Sequence, residues 1–222
     1  NPLSLLHITR AEIAFNPGHN PYADEVYSQA VNAWETLKSS GNLERESSPC
    51  LYLYQQQMGD HRQQGLVGLC HVDDYREDRI KKHEKTRADK ENDRTRLTSA
   101  MSANAGPVFL TYRDDAGVSQ AIAQAQEQNP LYDFVAPDGI RHTAWRVPAP
   151  DAVVQAMLNV PCFYIADGHH RAASAARVGL ERRNANPNHR GDEDYNWFLS
   201  VMFPASQLKI LPYNRLLQHF NG

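Results

Sequence analysis

The chain has 222 residues, 41% hydrophobic content and a formal net charge of −3 with its ten histidines taken as neutral. That length fills one large domain or two small ones and buries a core without disulfide or metal staples. No apolar run approaches the roughly 18 residues of a membrane-spanning helix, no apolar signal segment opens the chain, and the slightly acidic balance offers no global attraction to nucleic acid or an anionic membrane. Neither is expected as a partner, and the cytoplasm is the expected location.

Leu3-Ser4-Leu5-Leu6-His7-Ile8 predicts an opening strand, followed by a Pro/Gly/Asn loop from Asn16 to Pro21. Between Asp24 and Lys38, Val26, Tyr27, Ala30, Val31, Trp34 and Leu37 recur at helical spacing, and Gly41-Asn42 supplies the stop. Cys50 to Gln56 and Gly65 to Val72 flank Gly59-Asp60 and predict a hairpin. Arg79 to Arg96 is almost wholly charged or polar, lacks Gly and Pro, and carries opposite charges such as Arg87 and Glu91 four apart, which predicts a helix polar on all sides.

Pro107 to Tyr112 then reads as a strand, Val118 to Gln128 as a helix, and Tyr132 to Val135 with His142 to Val147 as a second hairpin over Pro137-Asp138-Gly139. Asp151 to Leu158 predicts a short helix, Cys162 to Ala166 a buried strand, Ala172 to about Arg183 a long helix, and Asn196 to Phe203 and Leu208 to Leu211 two closing strands. Hairpins that alternate with helices predict an α+β fold, a mixed sheet with hairpins and packed helices, over a doubly wound parallel one. The expectation is one α+β domain over 1–222, cut from a longer protein because the chain starts at Asn1 and stops just after an apolar run. Cys50, Cys70 and Cys162 lie far apart with no C-x-x-C pair, and are read as reduced core residues.

The densest chemistry lies in Asp167-Gly168-His169-His170-Arg171, between the predicted strand and the long helix. A strand, a glycine turn and a helix start place backbone N–H groups and the positive end of a helix dipole at one spot, which binds anions. Gly168 admits close approach, His169 and His170 offer ring N–H groups, and Arg171 a planar fork matched to phosphate oxygens. Asp167 has the wrong charge to face a phosphate directly; its carboxylate suits holding a magnesium ion, orienting a histidine or accepting a hydroxyl proton. Ala172-Ala173-Ser174-Ala175-Ala176 lets the helix pack close to the sheet. The bland alternative is a helix cap with structural histidines. Adjacent histidines point differently at a helix start and no i, i+4 histidine pair accompanies them, which argues against zinc.

Ile165 to Ala173 resembles the box of the sulfiredoxin/ParB-like superfamily, and its Asp-Gly-His-His-Arg form resembles that of the archaeal-type free serine kinases. The wider chain resembles the domain-of-unknown-function family 1015, through Asn1 to His7, Ile80 to Arg87, Asp93-Arg94, Gly106 to Tyr112, the Asp167 box and Pro212-Tyr213-Asn214-Arg215. The resemblance implies a ParB/sulfiredoxin-like nucleotide-binding core over about 50–222, with ATP or ADP as cofactor, Mg2+ beside it, and phosphate transfer to a small hydroxylated metabolite such as serine. Sulfiredoxins carry a cysteine where this chain has His169, and no helix-turn-helix of the ParB kind is found, so neither of those activities is implied.

A second constellation, Lys82-His83-Glu84 with Arg87, Asp89, Glu91, Asp93 and Arg94 behind it, is the other expected site segment. The serine kinases place a glutamate base before the box, and Glu84 resembles it; Lys82, His83 and Arg94 are then the expected substrate-binding residues. The ordinary reading of such a charge run is a solvated helix. His7 and Arg10 are weaker candidates for a substrate carboxylate, and His142 reads as structural. The competing functions are a nucleotide-binding regulatory or sensor module that transfers no phosphate, and a metal-dependent hydrolase built on the histidines.

Overall fold

The computed structural model describes residues 1–212 and 214–216. Tyr213, inside one of the resemblance motifs, lies outside them. The elements follow as α1 (Leu6–Thr9), α2 (Asp24–Ser39), β1 (Tyr52–Met58), β2 (His61–His71), α3 (Val72–Arg76), β3 (Ile80–Lys81), α4 (Ala88–Met101), β4 (Val108–Tyr112), α5 (Ala116–Ala123), β5 (Tyr132–Val135), β6 (Arg141–Arg146), α6 (Pro150–Met157), β7 (Phe163–Asp167), α7 (His169–Ala185) and β8 (Trp197–Pro204). The fold is α+β around one mixed eight-stranded sheet, in the order β3-β7-β4-β8-β2-β1-β6-β5. β3 with β7 and β4 with β8 run parallel, and every other neighbouring pair is antiparallel.

Local chemistry explains most of these elements. Gly59, at φ +57, turns the β1–β2 hairpin, and the paired Leu53 and Leu66 face the core. Asp115 caps α5 by accepting from the Val118 N–H at 2.9 Å, and Pro150 opens α6 where its missing N–H costs nothing. Two apolar clusters result. One lies against the sheet and takes Leu53, Leu110, Tyr112, Ile165, Ala172 and Phe198; the other joins Ile8 and Ala11 to Val26, Ala30, Leu97 and Met101 of α2 and α4.

Four expectations are corrected. The opening segment is not a strand: Leu3, Leu5 and Leu6 are exposed, whereas Ile8 and Ala11 are buried one helical turn apart against α2, so a short helix satisfies the only burial available. The helix expected over Arg79 to Arg96 starts only at Ala88. Ile80, fully buried, is instead drawn into a two-residue strand beside Phe163, an open segment follows, and α4 buries Thr95, Leu97 and Met101 instead of being solvated on all sides. Arg87 pairs there with Asp89 at 2.9 Å, not with Glu91. β7 is not buried throughout: Ile165 faces the core, while Tyr164, Ala166 and Asp167 are exposed. Leu208 to Leu211 forms no strand, because the chain leaves the sheet at Pro204 through a 3-10 turn, Ala205–Gln207, and Ile210 is 97% exposed.

The cysteines are free thiols and only half-buried by residue. Burial of its sulfur pushes the Cys70 thiol up to about 11, so it stays protonated at neutral pH.

Candidate anion-binding cleft

The box at Asp167 is aimed by an irregularity in the sheet. Leu110 of β4 pairs with Ile165 and Phe109 with Asp167, so Ala166 is one residue extra and the end of β7 is re-aimed before the chain turns. Gly168 makes the turn at φ +93 and is the residue before α7, whose N-terminus no side chain caps. An alanine Cβ at Gly168 would lie 2.9 Å from Arg171 Nε, and one at Gly106 would lie 3.3 Å from Arg171 Nη1, so two glycines make room for one guanidinium. Behind the turn, Ala172, Ser174, Ala175 and Ala176 are buried, and the Ser174 hydroxyl donates to the His170 carbonyl at 2.5 Å. Small side chains seat this helix close to its neighbours and hold the box rigidly.

The five box residues have different partners. Arg171 Nη2 donates to Asp167 Oδ2 at 2.6 Å, and the Asp167 side chain is 73% exposed. His170 Nε2 accepts from the Arg87 backbone N–H at 3.1 Å, which ties the open segment before α4 to the box and assigns the proton of a neutral His170 to Nδ1. His169 is 5% exposed; its ring meets that of His83 edge-on at 4.4 Å, and its Nδ1 lies 3.7 Å from Glu84 Oε2. Burial, together with the His83 ring, holds the His169 imidazole below the usual histidine range, so it is neutral near pH 7.

These residues open onto a cleft of about 600 Å³, lined by Leu6, Thr9 and Arg10 at the N-terminal end, by Lys90, Arg94, Leu97 and Thr98 of α4, by 104–106, by Glu84 and by the whole box. Four permanent cations, Arg10, Lys90, Arg94 and Arg171, face it against the two carboxylates of Glu84 and Asp167. Each of the four already has a partner: Arg10 pairs with Glu12 at 2.6 Å, Arg94 lies 3.6 Å from Asp93, Lys90 donates to the Tyr22 hydroxyl at 2.9 Å and Arg171 pairs with Asp167 at 2.6 Å, so an incoming anion competes with these groups. A second cleft of about 300 Å³ shares Thr9, Arg10, Lys90, Arg94 and Leu97 with the first and continues to Glu12, Tyr27 and Asp93. There the Tyr27 hydroxyl donates to Asp93 at 2.8 Å, and burial with this bond pushes the phenol up to about 12.

The structure therefore brings Glu84, Arg94, Asp167, Gly168, His169, His170 and Arg171 to one cleft; His83 does not line it but is exposed and in edge-on contact with His169. It does not bring Lys82 there: that ammonium donates to the Tyr75 carbonyl at 2.9 Å and lies over the Tyr75 ring. His7 is engaged with the Asn1 carbonyl, and His142 Nδ1 with the Tyr54 hydroxyl at 2.6 Å. Arg10 lines both clefts. Lys90 and Gly106 went unnamed as site residues from sequence. For Lys90 the signal was there, since Lys90, Arg94, Leu97 and Thr98 share one helical face.

The cleft thus lies at the uncapped N-terminus of a helix that leaves the mixed sheet of an α+β protein. The chain belongs to the family described as protein of unknown function (DUF1015), whose model matches residues 1–222. No curated protein and no solved structure matches it. Among the described residues no helix is long and apolar enough to cross a membrane.

Proposed function

We propose that the chain is a nucleotide-dependent phosphotransferase, a kinase that moves phosphate from ATP or ADP to a small hydroxylated metabolite such as serine. The reading takes 1–222 as one unit with a ParB/sulfiredoxin-like nucleotide-binding core over about 50–222. The observation that carries it is the coincidence, in one cleft, of an uncapped α7 N-terminus behind Gly168 with Arg10, Lys90, Arg94 and Arg171. A volume of about 600 Å³ falls within the range of small-molecule and cofactor sites.

The residues present fit a nucleotide phosphate chain. Backbone N–H groups at the start of α7 are available to phosphate oxygens, and a charge at a helix N-terminus gains on the order of 0.3–1 kcal/mol from the dipole. Arg171 clamps phosphate oxygens once it leaves Asp167, and His170 keeps the 82–87 segment against the box. Glu84, on the cleft wall, accepts the proton of the acceptor hydroxyl, and Arg94 and Arg10 neutralise charge on the transferred group or on a substrate carboxylate. Asp167 fits Mg2+ as one oxygen ligand among phosphate oxygens and water, with Arg171 withdrawn to the phosphates. A bound nucleotide supplies the phosphoryl group itself.

One observation favours the second reading, a nucleotide-binding sensor of the ParB-like type. Asp167, the carboxylate assigned to metal or proton work, is held by Arg171 at 2.6 Å. Incubation with Mg2+, terminally labelled ATP or ADP and a pool of hydroxylated amino acids and sugars separates the two. A labelled metabolite that disappears in Glu84→Gln is the kinase result; nucleotide bound without transfer or hydrolysis is the sensor result.

A further inference from the structure

His83 and Glu84 lie on the open segment between β3 and α4, and His169 opens α7, some 85 positions later in the sequence. The fold nevertheless brings one ring nitrogen of each histidine and one carboxylate oxygen of Glu84 within 4.8 Å of one another. Among the described residues this is the one group of three or more His, Cys, Asp or Glu side chains whose donor atoms converge in this way.

Two features set it apart from a chance surface cluster. First, His169 is 95% buried by its 5% exposure, yet its Nε2 finds no hydrogen-bond partner among the described residues, and its Nδ1 stands 3.7 Å from Glu84, beyond hydrogen-bond reach. A buried ring nitrogen left without a partner is costly, and an ion or water is the usual explanation. Secondly, ligands held about 2.0–2.2 Å from one metal stand on the order of 3–4 Å apart; the His169–Glu84 separation of 3.7 Å falls in that range, and separations of up to 4.8 Å within the group close by rotation of the exposed His83 and Glu84 side chains.

We propose that His83, Glu84 and His169 form a binding site for a divalent first-row transition ion of the Zn2+ type. Two imidazole nitrogens and one carboxylate are the donor set of open, catalytic zinc centres, and imidazole selects such ions over Mg2+. Two of the three protein ligands, Glu84 and His169, line the 600 Å³ cleft, and three ligands leave a further position open. Its occupant is an oxygen donor: water, or a hydroxyl or anion held by the same cationic lining. The sequence argued against zinc because His169 and His170 diverge. His170 is indeed not a partner, since its ring accepts from the Arg87 N–H; the partner of His169 is His83, which only the fold brings near. This site does not rest on the nucleotide reading and would stand if no nucleotide bound.

The test uses Co2+ as a spectroscopic probe on the whole chain, stripped of metal. Stoichiometric Co2+ should bind with a visible absorption band that Zn2+ abolishes. His83→Ala and Glu84→Gln, both exposed loop positions, should each weaken binding at least about tenfold, since even outer-shell losses cost that much, with unchanged thermal melting of the metal-free protein. His189→Ala, which removes a distant His–Glu pair at 2.9 Å, should leave Co2+ affinity unaltered. Absence of stoichiometric binding, or wild-type affinity in both His83→Ala and Glu84→Gln, overturns the proposal.

Discussion

Arg171 reaches back one helical turn to Asp167, its Nη2 2.6 Å from the carboxylate, and lies across the bare face of Gly168 to do so. The cation best shaped for phosphate is thereby held on an internal anion at the mouth of the cleft. For an anion that binds Arg171, this carboxylate is a competitor for the guanidinium. Asp167→Asn should therefore bind ADP or ATP without Mg2+ severalfold more tightly than the wild type in calorimetry. Weaker binding in that variant would show that Asp167 holds the ligand directly.

Gly168 is required twice over, by φ +93 and by the guanidinium that occupies the place of a Cβ. Gly168→Ala should cost on the order of 1–2 kcal/mol for the left-handed conformation alone, read as a lower urea midpoint, and should weaken nucleotide binding by displacing Arg171. An unchanged midpoint would mean that the turn accepts a side chain.

The His170 ring holds the 82–87 segment through the Arg87 N–H. Removing one such bond costs on the order of 1 kcal/mol, and locally the loss is concentrated in a segment with little core of its own. His170→Ala should speed amide exchange at Arg87 and its neighbours while exchange in β1, β2 and β8 stays as in the wild type. Equal rates at Arg87 would remove the tether from the account.

Glu193 gives a pH signature remote from the cleft. Burial pushes its carboxyl up, but the backbone N–H groups of Arg190, of Glu193 itself and of Gly191, with the neighbouring His189, outweigh it and hold the group at about 2. A carboxyl whose folded value lies below its ordinary 4.5 binds fewer protons folded than unfolded, so its contribution is present above that range and is lost as pH falls toward about 2. The urea midpoint of Glu193→Gln should lie below that of the wild type at about pH 6 and converge with it under acid. A gap that stays constant with pH would contradict this assignment.

Much of this was legible in the chain. The β1–β2 and β5–β6 hairpins announced themselves through Gly59 and Pro137-Asp138-Gly139, and the strand-turn-helix at Asp167 through Gly168 and the alanines behind it. Local signals failed where a distant partner decided the outcome. Ile80 pairs with Phe163 because β7 lies beside it, which no window around Arg79 to Arg96 contains. The cleft was half legible: its box stands contiguous in sequence, but Arg10, Lys90, Arg94 and Gly106 meet it only because α1 packs on α2, α2 on α4 and α4 on α7. Lys82 read as a site residue by adjacency to Glu84, yet its long stem carries the charge to Tyr75 instead.

The claim that the cleft holds a nucleotide through the Asp167 box is tested most directly by calorimetric titration of ATP and ADP, with Mg2+, into the wild type and Arg171→Ala. Loss of a charge-assisted, forked contact should weaken binding about tenfold or more, with circular dichroism unchanged because Arg171 is a half-exposed side chain. Equal affinity in the two proteins, or no nucleotide binding by the wild type, would contradict it.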